Sequence, residues 1–503
     1  MKRIKILAIF AAAFCSAFAV AQDMDFGDDF GSDFGSDFGA SDSSSSFSAG
    51  SFSVNGEAQI NFRAYVDDEG TIGLPIDEWN TWVDPKGKIG LNYSNDTVSA
   101  DVKFALSKDI ITDYKSDIID ELTLEATFGN FLVQAGKMKV VWGKGDKLHV
   151  IDNFNANDYK DFLIPDYIDR RISEPMVRVL YNAPNDVGPF TSNRFELVWT
   201  PFITADRYAS SGRWVPNQVK TLKNKLSDKA GEIITIQRMT AGDNQEKQGD
   251  YTKMLSRSSS LADDLYPDLY QLKYMQAGAR FTTTTGSWDW GLSYYFGRDK
   301  RASFDLANMG NYVSKYLNGN AGEDDKFIDY DFLQVFGVEA AKTFGAYNFR
   351  AEAAYNLTQD IAGDNPRIHN NSVAWVFGFD RDLPVSELNF NLQTQGKYII
   401  NHDEIDDSKN SLDTESSTYE TDNKLVLNIS DNLLHGKLKP EISAIYGFEH
   451  FDLIIMPKIT WYVSDGLEFS ANGMYMQSFI KSRSEFGDWH NNSFVQISAK
   501  YTF

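Results

Sequence analysis

Six carboxylates, Asp146, Asp152, Asp158, Asp161, Asp166 and Asp169, crowd the stretch 142–174 and alternate with Lys144, Lys147, Lys160, Arg170 and Arg171. None of them stands beside a serine or cysteine nucleophile in a recognisable arrangement. Their chemistry is electrostatic: acidic and basic groups facing each other across a narrow aqueous passage set a transverse field that orients polar solutes and tunes ion choice. Asp146, Asp152, Asp158, Asp161, Asp166, Asp169, Arg170 and Arg171 are therefore the candidate lining of a pore constriction, the plainer alternative being a solvated surface loop. A second set of charges lies on the polar faces of alternating segments: Glu57, Arg63, Lys103, Glu125, Glu196, Arg350, Glu352, Lys397, Glu441, Lys458 and Lys500. These would form the wall facing the constriction. Their signs are mixed, which argues against a passage dedicated to one anion.

Other chemistries find no support. The six histidines, His149, His369, His402, His435, His450 and His490, show no metal-ligand spacing, and there is no Gly-x-Ser-x-Gly elbow. His490, Asn491 and Ser493 form no known catalytic pattern. Gly143-Lys144-Gly145 lacks the strand-turn-helix setting that a nucleotide site needs. A net charge of −23 disfavours nucleic acid as a partner. The expectation is a non-enzyme without a cofactor or a bound metal.

The elements that must hold these charges read as strands. From Asn492 to Phe503 every second residue is apolar (Val495, Ile497, Ala499, Tyr501, Phe503), with Gln496, Ser498, Lys500 and Thr502 between them. Successive side chains of a strand point to opposite faces, so this segment has a greasy face and a wet one, and it is long enough to cross a bilayer at a tilt. Phe52 to Tyr65 repeats the pattern, with Phe52, Val54, Ile60 and Phe62 opposite Glu57, Gln59, Asn61 and Arg63. Similar segments follow to the end, about 18 in all within a range of about 16 to 20. Their connections alternate between tight Asn/Asp/Gly turns (Asn95-Asp96, Gly129-Asn130, Gly345-Ala346) and long loops (66–85, 142–174, 204–270, 298–328). Short turns at one end and long loops at the other predict an all-β transmembrane antiparallel barrel, closed by pairing of the last strand with the first. A mean hydropathy of −0.37 fits, because lumen and loops dilute the lipid face. Aromatics make up 14% of the chain, and Tyr65, Trp142, Trp199, Trp461 and Tyr462 are expected in interfacial girdles. Within the loop 204–270, Val219, Leu222 and Leu226 at helical spacing predict a short helix or amphipathic turn in Val215 to Arg238.

The N-terminus reads as an export signal. Lys2, Arg3 and Lys5 precede an apolar run from Ile6 to Phe18, and Ala19-Val20-Ala21 offers a cleavage site. Cys15 follows Phe14, where a lipoprotein signal needs a small residue. The expected organisation is a signal peptide over 1–21, a disordered acidic Asp-Phe-Gly and Ser-rich linker over 22–50 and a barrel over 51–503.

Two segments carry a family resemblance. The terminal strand ending in Phe503 resembles the C-terminal strand of bacterial outer-membrane barrels, which implies that Phe503 is part of an insertion signal. Gly136-Lys137, Trp142-Gly143, Asp146, Asp152, Asn155 and Asp158 resemble a motif of Gram-negative porin-like families related to phosphate-selective and alginate-export barrels. Ala156 stands where that motif has proline. The resemblance implies an outer-membrane barrel with an in-folded loop and names no solute. Its expected partners are outer-membrane lipid, the barrel-insertion machinery and small polar solutes. By resemblance to trimeric porins a homo-oligomer is an open expectation, without an interface signal in this sequence. The expected function is passive diffusion of small polar solutes through a water-filled lumen. The alternatives are an adhesin or partner-binding surface made of long loops, and a structural envelope tether.

Overall fold

The computed structural model describes residues 50–66, 80–146, 148–164, 166–242, 244–406, 413–415 and 418–503. The signal-peptide reading, the linker reading up to residue 49 and Lys147 lie outside them. The strands are β1 (Ser51–Tyr65), β2 (Asn80–Ser94), β3 (Val98–Ser107), β4 (Ile119–Phe128), β5 (Phe131–Met138), β6 (Glu174–Asn182), β7 (Phe190–Thr200), β8 (Gln276–Thr285), β9 (Trp288–Arg298), β10 (Ser303–Phe304), β11 (Ile328–Asp329), β12 (Phe332–Phe344), β13 (Tyr347–Leu357), β14 (Ser372–Asp382), β15 (Asn389–Ile399), β16 (Thr421–Ser430), β17 (Leu438–Gly447), β18 (Asp452–Ser464), β19 (Leu467–Ser478) and β20 (Phe494–Thr502). The short pair β10–β11 stands apart, and the other 18 form one antiparallel sheet.

That sheet is closed. β20 pairs antiparallel with β1, from Glu57 opposite Thr502 to Tyr65 opposite Phe494, and with β19 on its other side. Closure leaves no strand edge, so each ladder hydrogen bond finds its partner inside the sheet. The alternation holds as expected. Phe62, Leu124, Leu197, Leu292, Val338, Phe377, Val495 and Ile497 are exposed on the outside, while Asn61, Arg63, Glu196, Glu339, Glu352 and Gln496 are buried within. Eight short connections, the longest being 183–189 and 431–437, gather at the end where β1 begins. The opposite end carries 139–173, 201–275 and 299–331, with 448–451 as its one tight turn. The barrel predicted from alternation and loop length is thus present strand for strand, although β2 begins earlier than its sequence pattern suggested.

Three differences matter for function. The helical reading of the long loop was too modest. It holds α3 (Asn217–Ala241) and α4 (Gln245–Ser258), after the shorter α1 (Lys108–Thr112) and α2 (Tyr167–Arg170). With α5 (Met309–Asn318) from the next long loop, they pack Leu226, Ala230, Met254, Tyr312, Val313 and Leu317 into a core of their own outside the sheet. Second, Trp142 and Tyr65 belong to no girdle: they are buried inside, whereas Trp199 and Trp461 are exposed. Periodicity could not show this, because Trp142 lies just beyond the end of β5, where the chain turns inward. Third, the barrel interior is partly dry. Met138, Met176, Val198, Tyr295, Leu333, Val335, Ala354 and Ala374 point inward on the β5–β14 side and form a core with Val140, Trp142, Ile151 and Phe154.

The register at the seam is testable. In a chain lacking Cys15, Phe62→Cys with Ile497→Cys places two directly opposed residues within disulfide reach. Oxidation is expected to give a faster-migrating species on a non-reducing gel. Phe62→Cys with Ala499→Cys, two residues out of register, is expected to give none.

Candidate functional site: the lumen and its inward loop

The segment 139–173 leaves β5, dips into the barrel and returns to β6. Its apolar residues explain the dip. Trp142, Ile151 and Phe154 are almost completely buried, with Phe154 edge-on to Trp142 and Tyr295 at 5.0 and 5.2 Å. Burying a side chain of this size contributes about 1.5–3 kcal/mol. Asn155 staples the two ends of the loop. Its Oδ1 accepts from Val140 N at 2.8 Å, and its Nδ2 donates to the carbonyls of Met138 at 3.0 Å and Ile172 at 2.9 Å.

Glu352 on β13 anchors the first half. Its carboxylate accepts from Gly145 N at 2.7 Å and Val150 N at 2.9 Å, and pairs with His149 Nδ1 at 2.9 Å. Gly143 is required here. Its φ is +123°, and a Cβ would stand 2.2 Å from the Glu352 carboxylate and 2.6 Å from His149. Deeper still, Asp146 accepts from Asn391 Nδ2 of β15 at 2.7 Å.

The second half crosses to the opposite wall. Asp161 takes a two-pronged bond from Arg63, at 2.6 and 2.9 Å, and the Arg63 guanidinium lies between the rings of Trp82 and Phe494 at 4.6 and 4.5 Å. Asp169 pairs with Lys88 of β2 at 2.9 Å, and Lys88 also reaches Glu57 at 3.4 Å. Within the loop, Arg171 pairs with Asp152 at 2.8 Å with both side chains buried, Tyr167 donates to the same carboxylate, and Lys160 pairs with Asp158 at 3.2 Å. Asp166 precedes α2, and Arg170 donates to the Leu163 carbonyl at 3.2 Å. Phe162 stacks on Trp214 at 5.1 Å and meets Trp489 at 5.0 Å, so loop 201–216 and the last long loop clamp the strap from outside.

Between this strap and the wall lies a cavity of about 1120 Å³. Its lining extends from Asp109, Arg301 and Trp489 near the long-loop end to Lys439, Glu468 and Lys500 near the short-turn end. All eight candidate constriction residues, Asp146 to Arg171, line it, as do Glu57, Arg63, Glu441 and Lys458 from the candidate wall. Lys500 lines it too, and six wall candidates do not border it: Glu196 faces a separate small cavity, and the other five are engaged elsewhere. Lys103 pairs with Glu121 at 3.4 Å, Glu125 accepts from Gln134 at 2.7 Å, Arg350 pairs with Asp380, Glu352 is consumed by the strap, and Lys397 faces the charges of Arg301 and Glu415. The lining holds fifteen carboxylates and thirteen Lys and Arg, so its net charge is close to balanced. Phe503 sits at the short-turn end, where its backbone exchanges hydrogen bonds of 2.9 and 2.8 Å with Gly56.

Asp422, His450 and Glu485 have ligand atoms within 4.8 Å of one another, the one potential metal cluster among the described residues. Lys424 Nζ already bonds Asp422 at 3.2 Å and Glu485 at 2.8 Å, supplying the positive charge that a cation would bring. Sequence reasoning missed Asn391, Trp214 and Trp489, whose roles depend on contacts between distant loops.

Two titrations stand out in the loops. Burial would depress the His149 imidazolium, but the hydrogen bond and charge of Glu352 outweigh it and raise its pKa above the ordinary histidine value. Desolvation pushes the Asp206 carboxyl up to about 6, although it accepts from Asn157 N at 2.8 Å.

No protein family matches this chain, and no curated protein does. Among solved structures it is similar to a mutant porin of Rh. blastica (8% identity, covering 90% of this chain and all of the other, TM-score 0.36). It is also similar to a loop-deleted OmpT, an outer-membrane protein of Vibrio cholerae (10% identity, 91% and 100% covered, TM-score 0.33). A third is Wzi of Escherichia coli, described as a carbohydrate-binding β-barrel involved in capsule assembly (10% identity, 89% and 84% covered, TM-score 0.42). The barrel is read from its own strand pairing.

Asn155→Ala strands one buried N–H and two buried carbonyls. It is expected to cost about 3 kcal/mol or more, at about 1–3 kcal/mol per unpaired group, read as a lowered unfolding midpoint of the purified barrel. The His149–Glu352 tether has a definite pH sign. With the folded pKa raised, its contribution is full below the unfolded histidine pKa and is lost as pH rises through the folded value. Protease cleavage within 139–173 is expected to quicken on alkalinisation, and His149→Gln to remove that dependence.

Proposed function

We propose that this chain is an outer-membrane porin-like channel through which small polar solutes diffuse passively down their gradients. The observation that carries the reading is the cavity between strap and wall, lined by charged and polar residues over most of the barrel's length. An outer face rich in exposed Phe, Leu, Val and Ile supports immersion in lipid, and the grouping of long loops at one end supports an outward-facing surface. Outer-membrane lipid and the barrel-insertion machinery are the partners this requires, with Phe503 in the insertion signal. No step needs a cofactor or catalysis. A homo-oligomer is compatible with the closed barrel and not required by it. The near balance of lining charges favours weak ion selectivity.

A second reading has one observation of its own. The helices α3, α4 and α5 form a packed body outside the sheet, a surface for binding a partner. Excising 217–258 with loss of surface binding and unchanged conductance would favour it.

The channel is tested in planar bilayers. The refolded barrel is expected to give stable conductance steps with low cation-to-anion preference, and a folded barrel that never conducts would sink the proposal. Ser470→Cys, on the cavity, is expected to lose conductance on reaction with a charged thiol reagent. Val495→Cys, on the outer face, is expected to be indifferent.

A further inference from the structure

A second, smaller cavity of about 120 Å³ lies within the barrel, lined by Lys144, Arg178, Arg194, Glu196, Arg280 and Thr282. Lys144 comes from the inward loop just after Gly143, and the others from the adjacent strands β6, β7 and β8. Four half-buried cations therefore meet one carboxylate in a small, half-open space.

The hydrogen bonds show which charges are already balanced. Glu196 accepts from Arg178 Nε at 2.7 Å and from Trp142 Nε1 at 3.0 Å. Arg280 donates from Nη2 to both Glu339 oxygens of β12, at 2.6 and 2.9 Å, and from Nε to Oε1 at 3.0 Å, and stands 3.7 Å from Glu196. Arg178 also donates to Gln134 Oε1 at 3.2 Å. Two carboxylates thus serve two guanidiniums. Lys144 and Arg194 form no ion pair or hydrogen bond among the described residues, and Arg194 Nε is buried without an acceptor. Counting Glu339, four half-buried cations face two carboxylates, an uncompensated charge of +2 that includes one buried, unbonded N–H on Arg194.

We infer that this cavity is a binding site for a small inorganic oxyanion, held by Arg194 and Lys144 with Arg178 and Arg280 fixed around it by Glu196 and Glu339. A tetrahedral oxyanion of five heavy atoms carries the compensating charge and offers acceptors to the free Arg194 Nε and the Lys144 ammonium. Guanidinium forks suit the geometry of such an anion. The Thr282 hydroxyl adds a neutral donor. Trp142 and the strap above keep the cluster out of the main cavity, whose own charges are nearly balanced. The site needs a folded barrel and does not depend on the channel reading.

The test uses the full-length mature barrel, folded in detergent micelles at low chloride and titrated calorimetrically with inorganic phosphate and, separately, with sulfate. Saturable binding of at least one oxyanion is expected. Arg194→Gln and Lys144→Gln are each expected to weaken it by tenfold or more, whereas Lys500→Gln, on the main cavity, is expected to leave it unchanged. Lys144 lies in a loop, so its variant keeps the test decisive should Arg194→Gln fail to fold. The absence of saturable binding to either anion, or binding that both variants retain at full strength, would overturn the site. Conductance is recorded on the same preparations, so a barrel that binds without conducting, or conducts without binding, separates this inference from the channel proposal.

Discussion

Closure of the sheet is the constraint from which the rest of this structure follows. A strand at the edge of a sheet bears a row of unpaired N–H and C=O groups, and pairing the first strand with the last removes it. Once eighteen strands close on themselves, the diameter is set, and wall side chains alone cannot fill a ring of that size. The interior must be occupied by water or by a segment of the chain. Here it is both. The β5–β6 loop carries enough apolar surface to pack against one half of the wall, and water-accessible space remains along the other.

The charges of that loop serve position before they serve selectivity. Asp161 is held by Arg63 between two aromatic rings, Asp169 by Lys88, and Asp152 by Arg171 within the loop. Breaking such a pair when it is buried costs about 3–5 kcal/mol, because the remaining charge has nowhere to go. The opposed charges facing across the lumen are therefore largely its struts. What remains along the cavity is a lining whose charges nearly balance. The clearest local imbalance lies off the main path, where four cations meet two carboxylates at the β6–β8 and β12 wall.

The glycines and the asparagine of the Trp-Gly segment fit the same picture. Gly143 lets the backbone turn beneath Glu352 with a positive φ, and Asn155 ties the loop's departure to its return. A segment that looks like a solvated acidic loop by composition is thereby fixed in place by buried hydrogen bonds. Ala156, where the resembling motif has proline, is fully buried, and its carbonyl accepts from Ile172 N at 2.8 Å without that ring.

Period-two alternation together with the regular alternation of short turns and long loops determined the barrel, a strand number of about 18, its two unlike ends and the pairing of β20 with β1. These follow from local rules, since neighbouring strands pair with neighbours in sequence and each residue has only two faces to choose from. The candidate charges could also be named, because a charged side chain on an alternating strand has to face away from lipid. Which of those charges line open space was decided only by the tertiary structure. Leu333 and Val335 face inward beside the outward Phe332 and Phe336, as do Ala374 and Val376 beside the outward Val373 and Phe377, and such departures from strict alternation accompany the dry side of the lumen. The partners of Arg63 and Glu352 lie far along the chain, and Arg194 has none among the described residues. Pairing across a closed ring depends on which loop descends into it and how far, and no local period encodes that.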